Sequence, residues 1–420
     1  MEESNTPDWL TADFLKSCLE SDEDNKEKVV ITGYNVGPGV PPGNNYGSSI
    51  LRVKVTYKKL FDSTEHLVSL IIKAPLVDGA FVEQYGDVLK ESFEKEPKYY
   101  NEFIRESYKL MVHNIVPKNY KSPYPLSVVL EDLKESGFTM VDRRDLLDFN
   151  HCELYVRASA KLHALSIVVH KTQPDIIESL AKKSPVVDEK SRIVFKGLIS
   201  NLFKCMAAFI EDQEGYKEFD DFFRDVSEND KFYCVYEEVE KSKRKLTAVI
   251  QGDPWSTNMM FKYNKLGEVI DVKLFDFQSL IFTSPVRELV TFVWTSAKPE
   301  VRENRLDELY QLYCDSLNGT FEQLGCSERL SFEELKTDIL FLSPWVLVTV
   351  CVMAPFCLTD EIVDMSEVLT PILPDVPIKE SLPYKLYQGP TFKKYYPKVL
   401  DHVAREGVFD YTKQKMKQLT

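Results

Sequence analysis

Residues 246–280 read LTAVIQGDPWSTNMMFKYNKLGEVIDVKLFDFQSL. Short apolar runs alternate with polar turns in this stretch, which is typical of strands joined by loops. The pattern predicts an apolar run at 248–250, a polar loop, a strand from Met259 to Tyr263, a turn at 264–267 and a strand from Val269 to Phe275. Asp253, Asn258 and Asp276 stand at the ends of these runs. A hairpin of ordinary length would bring the three side chains to one end of the strands.

These residue types fit the transfer of a phosphoryl group from ATP. That reaction needs a carboxylate near the attacking hydroxyl and oxygen ligands for Mg²⁺. We expect Asp253 to act as the base or to orient the hydroxyl, and Asn258 and Asp276 to bind Mg²⁺, because Mg²⁺ prefers one or two protein oxygens plus waters and phosphates. Asp, four intervening residues and Asn is also the spacing of the protein-kinase catalytic loop. Each fragment alone is typical of a surface turn, but their order around one hairpin favours the metal-phosphate interpretation.

A glycine-rich loop near the N-terminus is the candidate phosphate-binding loop. It lies between predicted strands at 29–32 and 48–57, where backbone N–H groups could approach phosphate oxygens without an intervening side chain. Glycine and proline also mark any long hairpin, so the loop gains weight only beside the downstream motif. The residues expected over the phosphates are Gly43, Asn44, Asn45, Tyr46, Gly47 and Ser48.

The apolar strand HLVSLIIK, residues 66–73, ends in a lysine that could contact the phosphates of ATP. Such a lysine needs a carboxylate to hold it. Glu96 lies on the aromatic face of the helical stretch at 91–111. Pro97 complicates that helix, so Glu94 remains a rival partner for Lys73.

An apolar strand at 128–130 precedes Glu131, Asp132 and Leu133, whose backbone groups could bond the edge of adenine. His163 lies beside apolar residues in a predicted helix at 150–169, which is typical of a hydrogen-bonded core histidine. The next predicted helix begins at Pro285, too soon after Asp276 for the long segment with which protein kinases bind peptides. The sequence therefore favours a small-molecule substrate.

Composition and charge narrow the possible partners and cellular locations of the protein. The chain has 420 residues and a net charge of -14, so it lacks the basic surface that nucleic acids require, and we expect no nucleic-acid partner. Its eight cysteines form no CxxC pair and predict reduced thiols. The acidic N-terminus lacks the features of a signal peptide and predicts a cytoplasmic location. The charge-free stretch at 339–358 contains Pro344 and Pro355, and we expect it to be a buried helix without stable membrane insertion.

The chain resembles the ecdysteroid kinase-like family of insects, relatives of choline kinases and aminoglycoside phosphotransferases. The resemblance spans nearly the whole length and rests on ordered motifs: PDWLTADFL, PGNNYGSSILRVKV, SLIIK, FEKEPKYYNEF, VVLEDL, ASAKLHALS, QGDPWSTNMMF and LFDFQ. It implies that Lys73 and Glu96 form the phosphate-positioning ion pair and that residues 131–133 form the hinge. Two positions depart from the family pattern, since Gln251 replaces a histidine that braces the catalytic loop and Glu288 replaces an aspartate.

The sequence predicts an α+β protein with a protein-kinase-like two-lobed fold. Residues 1–133 would form a small lobe with an antiparallel sheet, and residues 134–420 a large, mainly helical lobe. The expected activity is ATP- and Mg²⁺-dependent phosphorylation of a hydroxyl on a small lipophilic molecule, such as an ecdysteroid or a related steroid-like alcohol. The alternative is a catalytically weak or inactive protein of the same fold that binds a lipophilic ligand. Gln251, in place of the histidine of the family pattern, leaves this alternative open. No protein partner can be inferred.

Overall fold

The computed structural model describes residues 7–22, 27–40, 48–75, 93–181, 189–361, 368, 372–373 and 375–419. Helices and antiparallel sheets are both present, as the α+β prediction requires. The chain forms two compact units, one of residues 1–139 with 260–280 and the other of residues 140–259 with 281–420. The sequence assigned all of 134–420 to one domain, whereas the structure groups 260–280 with the first unit.

A five-stranded antiparallel sheet forms most of the first unit. Its order is β1-β2-β3-β5-β4, with β1 (Val29–Pro38), β2 (Ser48–Lys59), β3 (Glu65–Pro75), β4 (Asn119–Tyr120) and β5 (Val128–Glu131). The central strand β3 pairs with β2 on one side and with β5 on the other, which places Lys73 opposite both Ile50 and Val128. The backbone of Lys73 is therefore held by strands on both sides and does not belong to a frayed strand end.

Helical segments and a smaller sheet complete the first unit. Helix α1 (Ala12–Glu20) is capped by the Thr11 hydroxyl, which accepts a bond from the Phe14 N–H, and it packs its apolar face on the large sheet. Residues 93–98 are helical and lead into a π-helical turn, Tyr99–Ile104, and then α2 (Arg105–Leu110). The smaller sheet has the order β6-β8-β9, with β6 (Phe138–Thr139), β8 (Met259–Tyr263) and β9 (Val269–Leu274). The predicted hairpin at 259–275 is thus present.

The second unit is mainly helical. Its only strands among the described residues are β7 (Ala248–Ile250) and β10 (Ile281–Thr283), which pair with each other. Its described α-helices are α3 (Phe149–Thr172), α4 (Pro174–Leu180), α5 (Glu189–Ile210), α6 (Lys217–Glu228), α7 (Lys231–Lys241), α8 (Pro285–Ser296), α9 (Pro299–Asn304), α10 (Leu306–Gln323), α11 (Phe332–Phe341), α12 (Ser343–Val348), α13 (Ala354–Leu358), α14 (Pro390–Arg405) and α15 (Val408–Gln418).

Two helices expected from the sequence are broken. The pattern predicts one helix over 301–321, but Arg305 leaves helical geometry with φ -137° and ψ 20°, and α10 begins after it. The pattern also predicts one helix over 332–353, but the chain bends by 62° between α11 and the segment that begins at Ser343. Pro344 explains this second break, because proline lacks an N–H and disfavours helical geometry at the residue before it.

In the described part of the chain, one helix has the length and composition of a membrane span, and a bent helix pair meets the same criteria if its two helices are taken together. They are Arg192–Ile210 and the bent pair Phe332–Phe341 with Ser343–Leu358. Core helices of soluble proteins often meet the same criteria, and most side chains between Ser343 and Leu358 are buried inside the second unit. Helix α12 then continues through a π-helical turn, Thr349–Met353, into α13.

Candidate active site

Lys73 is the centre of a buried ionic group in the first unit. Only 9% of its side chain is exposed. Its Nζ lies 2.7 Å from Glu96 Oε2 and 2.7 Å from Asp276 Oδ1. Three residues widely separated in sequence thus meet around one ammonium group.

Glu96, and not Glu94, is the partner of Lys73. Glu94 is exposed, whereas 3% of the Glu96 side chain is accessible. The second oxygen of Glu96, Oε1, accepts a hydrogen bond of 3.0 Å from the Phe277 N–H. The Phe277 ring stacks on Tyr99 at a centroid distance of 4.1 Å, which anchors the same segment to the helical region. Glu96 therefore fixes both Lys73 and the backbone that follows Asp276.

Asp276 has an unusual backbone conformation, with φ at 65°. Non-glycine residues rarely adopt positive φ, and such strain occurs often at functional sites. Its side chain is 26% exposed, the most accessible of the three charged groups. One ammonium faces two carboxylates, so the group carries a net negative charge, and Asp276 is the carboxylate through which a cation from solvent could reach it.

The electrostatics hold Lys73 in its charged form. Burial acts to lower the pKa of Lys73, but the carboxylates of Asp276 and Glu96 outweigh burial and raise the pKa above its ordinary value. The pKa of Glu96 is raised because burial outweighs the ammonium of Lys73 and the Phe277 N–H, which both act to lower it. A permanently charged lysine is suited to binding phosphate oxygens.

The predicted hinge residues lie at the end of β5. The Glu131 N–H donates to the carbonyl of Lys118, and the Asp132 N–H donates to the carbonyl of Ser69. The Asp132 carboxylate accepts bonds from Arg52 Nε at 2.7 Å and Ser69 Oγ at 2.8 Å, which gives it a structural role. Among the described residues, none accepts a hydrogen bond from the Leu133 N–H. Leu133 is thus the member of the triplet best placed to donate to a ligand.

The candidate phosphate loop is only partly described. Gly43, Asn44, Asn45, Tyr46 and Gly47 lie outside the described residues. Ser48 is buried at the start of β2, opposite Pro75 of β3. The role of this loop stays a prediction.

Asp253 and Asn258 lie together in the second unit. The loop that carries them turns at Gly252, whose φ of 80° suits glycine, and ends in a short 3₁₀ turn, Ser256–Asn258. The Asn258 side-chain amide donates to the Asp253 carbonyl at 2.8 Å and approaches Asp253 Oδ2 at 3.3 Å. These bonds engage the amide nitrogen, so the amide oxygen of Asn258 is the atom suited to a metal ion.

Glu288 on α8 holds the start of this loop through hydrogen bonds. Its Oε2 accepts a 2.5 Å bond from the Gln251 N–H and lies 3.3 Å from His163 Nε2, and its Oε1 accepts a 2.8 Å bond from the Tyr155 hydroxyl. Burial acts to raise the pKa of Glu288, but His163 and the bonds from Gln251 and Tyr155 outweigh burial and lower the pKa. Gln251 and Glu288 are therefore bonded to each other.

His163 is a buried, hydrogen-bonded residue, as predicted. Besides Glu288 it contacts Tyr313, with 2.9 Å between Nδ1 and the hydroxyl. Tyr155 and Trp255 were not selected from the sequence. Trp255 Nε1 donates to Asp253 Oδ2 at 3.1 Å, and its position inside the catalytic-loop motif was the available signal. Tyr155 gave no signal, since a tyrosine in an amphipathic helix resembles any core residue.

The available ligands fit a hard cation held jointly with phosphate. No group of three or more His, Cys, Asp or Glu side chains able to hold a metal ion occurs in the described part of the chain. Mg²⁺ needs no such cage when phosphates and waters supply its remaining ligands. The carboxylate of Asp276 and the amide oxygen of Asn258 are each of a chemical type that Mg²⁺ binds.

A sequence profile of the ecdysteroid kinase-like family matches residues 42–326, about two thirds of the chain. The chain belongs to the ecdysteroid kinase-like family. This family is kinase-like, so membership supports a kinase-like phosphotransferase, and the matched region includes all the site residues described above. No curated protein sequence matches the chain significantly.

Proposed function

We propose that this ecdysteroid kinase-like protein is an ATP- and Mg²⁺-dependent phosphotransferase. Its acceptor is a hydroxyl of a small lipophilic molecule, an ecdysteroid or related steroid-like alcohol, and we place the reaction in the cytoplasm. The observation that carries the proposal is the buried contact of Lys73 with Glu96 and Asp276. A protein does not bury the charges of Lys73 and Glu96 without strong compensation, and an ammonium held between two carboxylates fits a role in phosphoryl transfer.

Each residue has a role in this reaction. Lys73, held by Glu96, binds the phosphates of ATP, and the backbone at Glu131, Asp132 and Leu133 contacts adenine. Asp253 accepts the proton of the acceptor hydroxyl while the oxygen of that hydroxyl bonds to the γ-phosphorus. The bond between the γ-phosphorus and the bridging oxygen breaks, and ADP leaves with the electron pair. Residues 43–48 cover the phosphates in this proposal.

Asn258 and Asp276 are the proposed ligands of Mg²⁺. When bound, the ion neutralises charge on the phosphate oxygens. The Asn258 amide nitrogen is already bonded to the Asp253 loop, so the orientation of its oxygen is coupled to the position of the base. The position of the Asp276 carboxylate is likewise fixed, because its backbone has a positive φ and Glu96 accepts a hydrogen bond from the N–H of the next residue, Phe277.

The Gln251 substitution does not by itself favour an inactive protein. The loop is bonded to Glu288 through the main-chain N–H of Gln251, a bond that any residue other than proline can make. A non-catalytic lipophile-binding protein is thus an outcome of the test rather than a second proposal.

Incubation with Mg²⁺-ATP and a panel of ecdysteroids, sterols and plant phenolics tests this function. We expect mass spectrometry to detect a product heavier by one HPO₃ group, together with equimolar ADP. The matched controls are omission of Mg²⁺ and the variant Asp253→Ala. Binding of Mg²⁺-ATP without any phosphorylated product across the panel would favour the binding-protein alternative, and phosphorylation of a peptide library would favour a protein kinase.

A further inference from the structure

Trp255 places a large apolar ring beside Asp253. Its indole N–H donates to Asp253 Oδ2 at 3.1 Å, and the side chain is half-buried. Tryptophan combines an apolar body with one polar group, and here that polar group is bonded to the carboxylate. The ring therefore has an accessible face close to the group that accepts the proton in the proposed reaction.

A second apolar surface comes from the end of the broken helix. Met353, Phe356 and Cys357 are spaced by three and four positions, which places them on one helical face. Cys357 is buried, while Met353 and Phe356 are half-buried. Burial raises the pKa of the Cys357 thiol, and the negative charge of Asp253 adds to that rise.

This surface is held rigidly. Arg143 Nη1 donates to the carbonyls of Phe356 at 3.2 Å and Cys357 at 2.8 Å, bonds that satisfy the C-terminal carbonyls of α13. Helix α13 packs against α8, and α8 also contacts the 3₁₀ turn at 256–258 and carries Glu288. The apolar face and the catalytic loop thus share one supporting helix within the second unit.

The backbone before this face is irregular. A π-helical turn, Thr349–Met353, precedes α13, and Pro355 is the second residue of α13. π-Helical turns inside α-helices occur often at functional sites. Met353 and Phe356 lie outside residues 42–326, the region that the family profile matches, so family membership does not assign them a role.

We propose that Trp255 and the Met353–Phe356 face form the apolar wall of the acceptor site. The wall takes a rigid lipophilic alcohol and directs its hydroxyl to Asp253. The inference rests on the proposed function for the role of Asp253. It adds the residues that select the acceptor, and it assigns Trp255 a positioning role through its bond to the carboxylate.

Photolabelling with hydroxybenzophenone tests the wall without requiring turnover. This probe is a rigid apolar phenol whose excited ketone inserts into nearby C–H bonds, with a preference for methionine. We expect the label on peptides that contain Met353 or Trp255. Labelling should fall about fivefold in Trp255→Ala and in Phe356→Ala, because each half-buried ring contributes part of the free energy of burying an aromatic side chain.

Two further variants keep the test decisive. Met353→Leu preserves the volume of the side chain, so it should remove the label from position 353 while leaving the Tm unchanged. Ile193→Ala, at a 66% exposed apolar position of the same unit, should label like the wild type. Label confined to other peptides, or no labelling at all, would overturn the inference.

The outcome separates this inference from the proposed function. Labelled wall peptides in a protein that phosphorylates no acceptor would retain the wall and refute the kinase. Phosphorylation without labelling at the wall would retain the kinase and refute the wall.

Discussion

Replacing Glu288 by alanine should destabilise the second unit strongly. The carboxylate is 3% exposed and contacts three donors: the Gln251 N–H, the Tyr155 hydroxyl and His163. Each buried donor left unsatisfied costs about 1–3 kcal/mol, so the three donors together cost about 3–9 kcal/mol. Rotation of the tyrosine hydroxyl and entry of water reduce the sum, so we expect a loss of about 3–5 kcal/mol.

Urea denaturation followed by tryptophan fluorescence measures this loss. Three of the four tryptophans, Trp255, Trp294 and Trp345, belong to the second unit, so the signal reports mainly on it. Glu303→Ala, at an exposed position of α9, is the matched control and should change stability by less than about 0.5 kcal/mol. A loss of less than about 1 kcal/mol in Glu288→Ala would refute the bracing role.

Three further predictions concern the same loop. The pKa of Glu288 is lower in the folded protein than in the unfolded chain, so its stabilising effect is complete above the unfolded pKa of about 4.3 and is lost as pH falls through the folded pKa. The difference in stability between wild type and Glu288→Gln should therefore be constant above about pH 5 and shrink below it. A difference that grows on acidification would contradict this. Asp253→Ala should lower kcat by about 10² to 10⁴ in a steady-state assay of the phosphorylated product, and unchanged turnover would remove Asp253 from the mechanism. Gln251→His should change kcat by less than about threefold, because the main-chain bond to Glu288 remains; a much larger gain would show that the histidine side chain itself matters.

The sequence predicted the parts of the site that depend on local pattern. Alternating apolar runs and the turn at 264–267 identified the hairpin, and β8 and β9 lie where that pattern places them. The ionic contact of Lys73 was predictable only under the kinase interpretation, because a lysine that contacts the phosphates of ATP needs a carboxylate to hold it. The choice between Glu94 and Glu96 was not predictable, since Pro97 obscured the face of the helix and only the contact of Glu96 with Lys73 settles it.

Other features depend on tertiary contacts that no local pattern shows. The Glu288 brace joins α8 to a loop preceding it by more than thirty residues and uses a backbone N–H, which carries no side-chain signal. The breaks at Arg305 and Leu342 interrupt patterns that look continuous, because amphipathic spacing survives a bend. The grouping of 260–280 with the first unit follows from the pairing of β6 with β8, two strands far apart in the chain.

We propose that Asn258 and Asp276 are ligands of the same Mg²⁺ ion. A double-mutant cycle on Mg²⁺ affinity in the presence of ATP tests it, using Asn258→Ala, Asp276→Ala and the double variant. We expect each single variant to weaken Mg²⁺ binding, and the double variant to lose less binding free energy than the sum of the two single losses. Strictly additive losses, or wild-type affinity in either single variant, would contradict it.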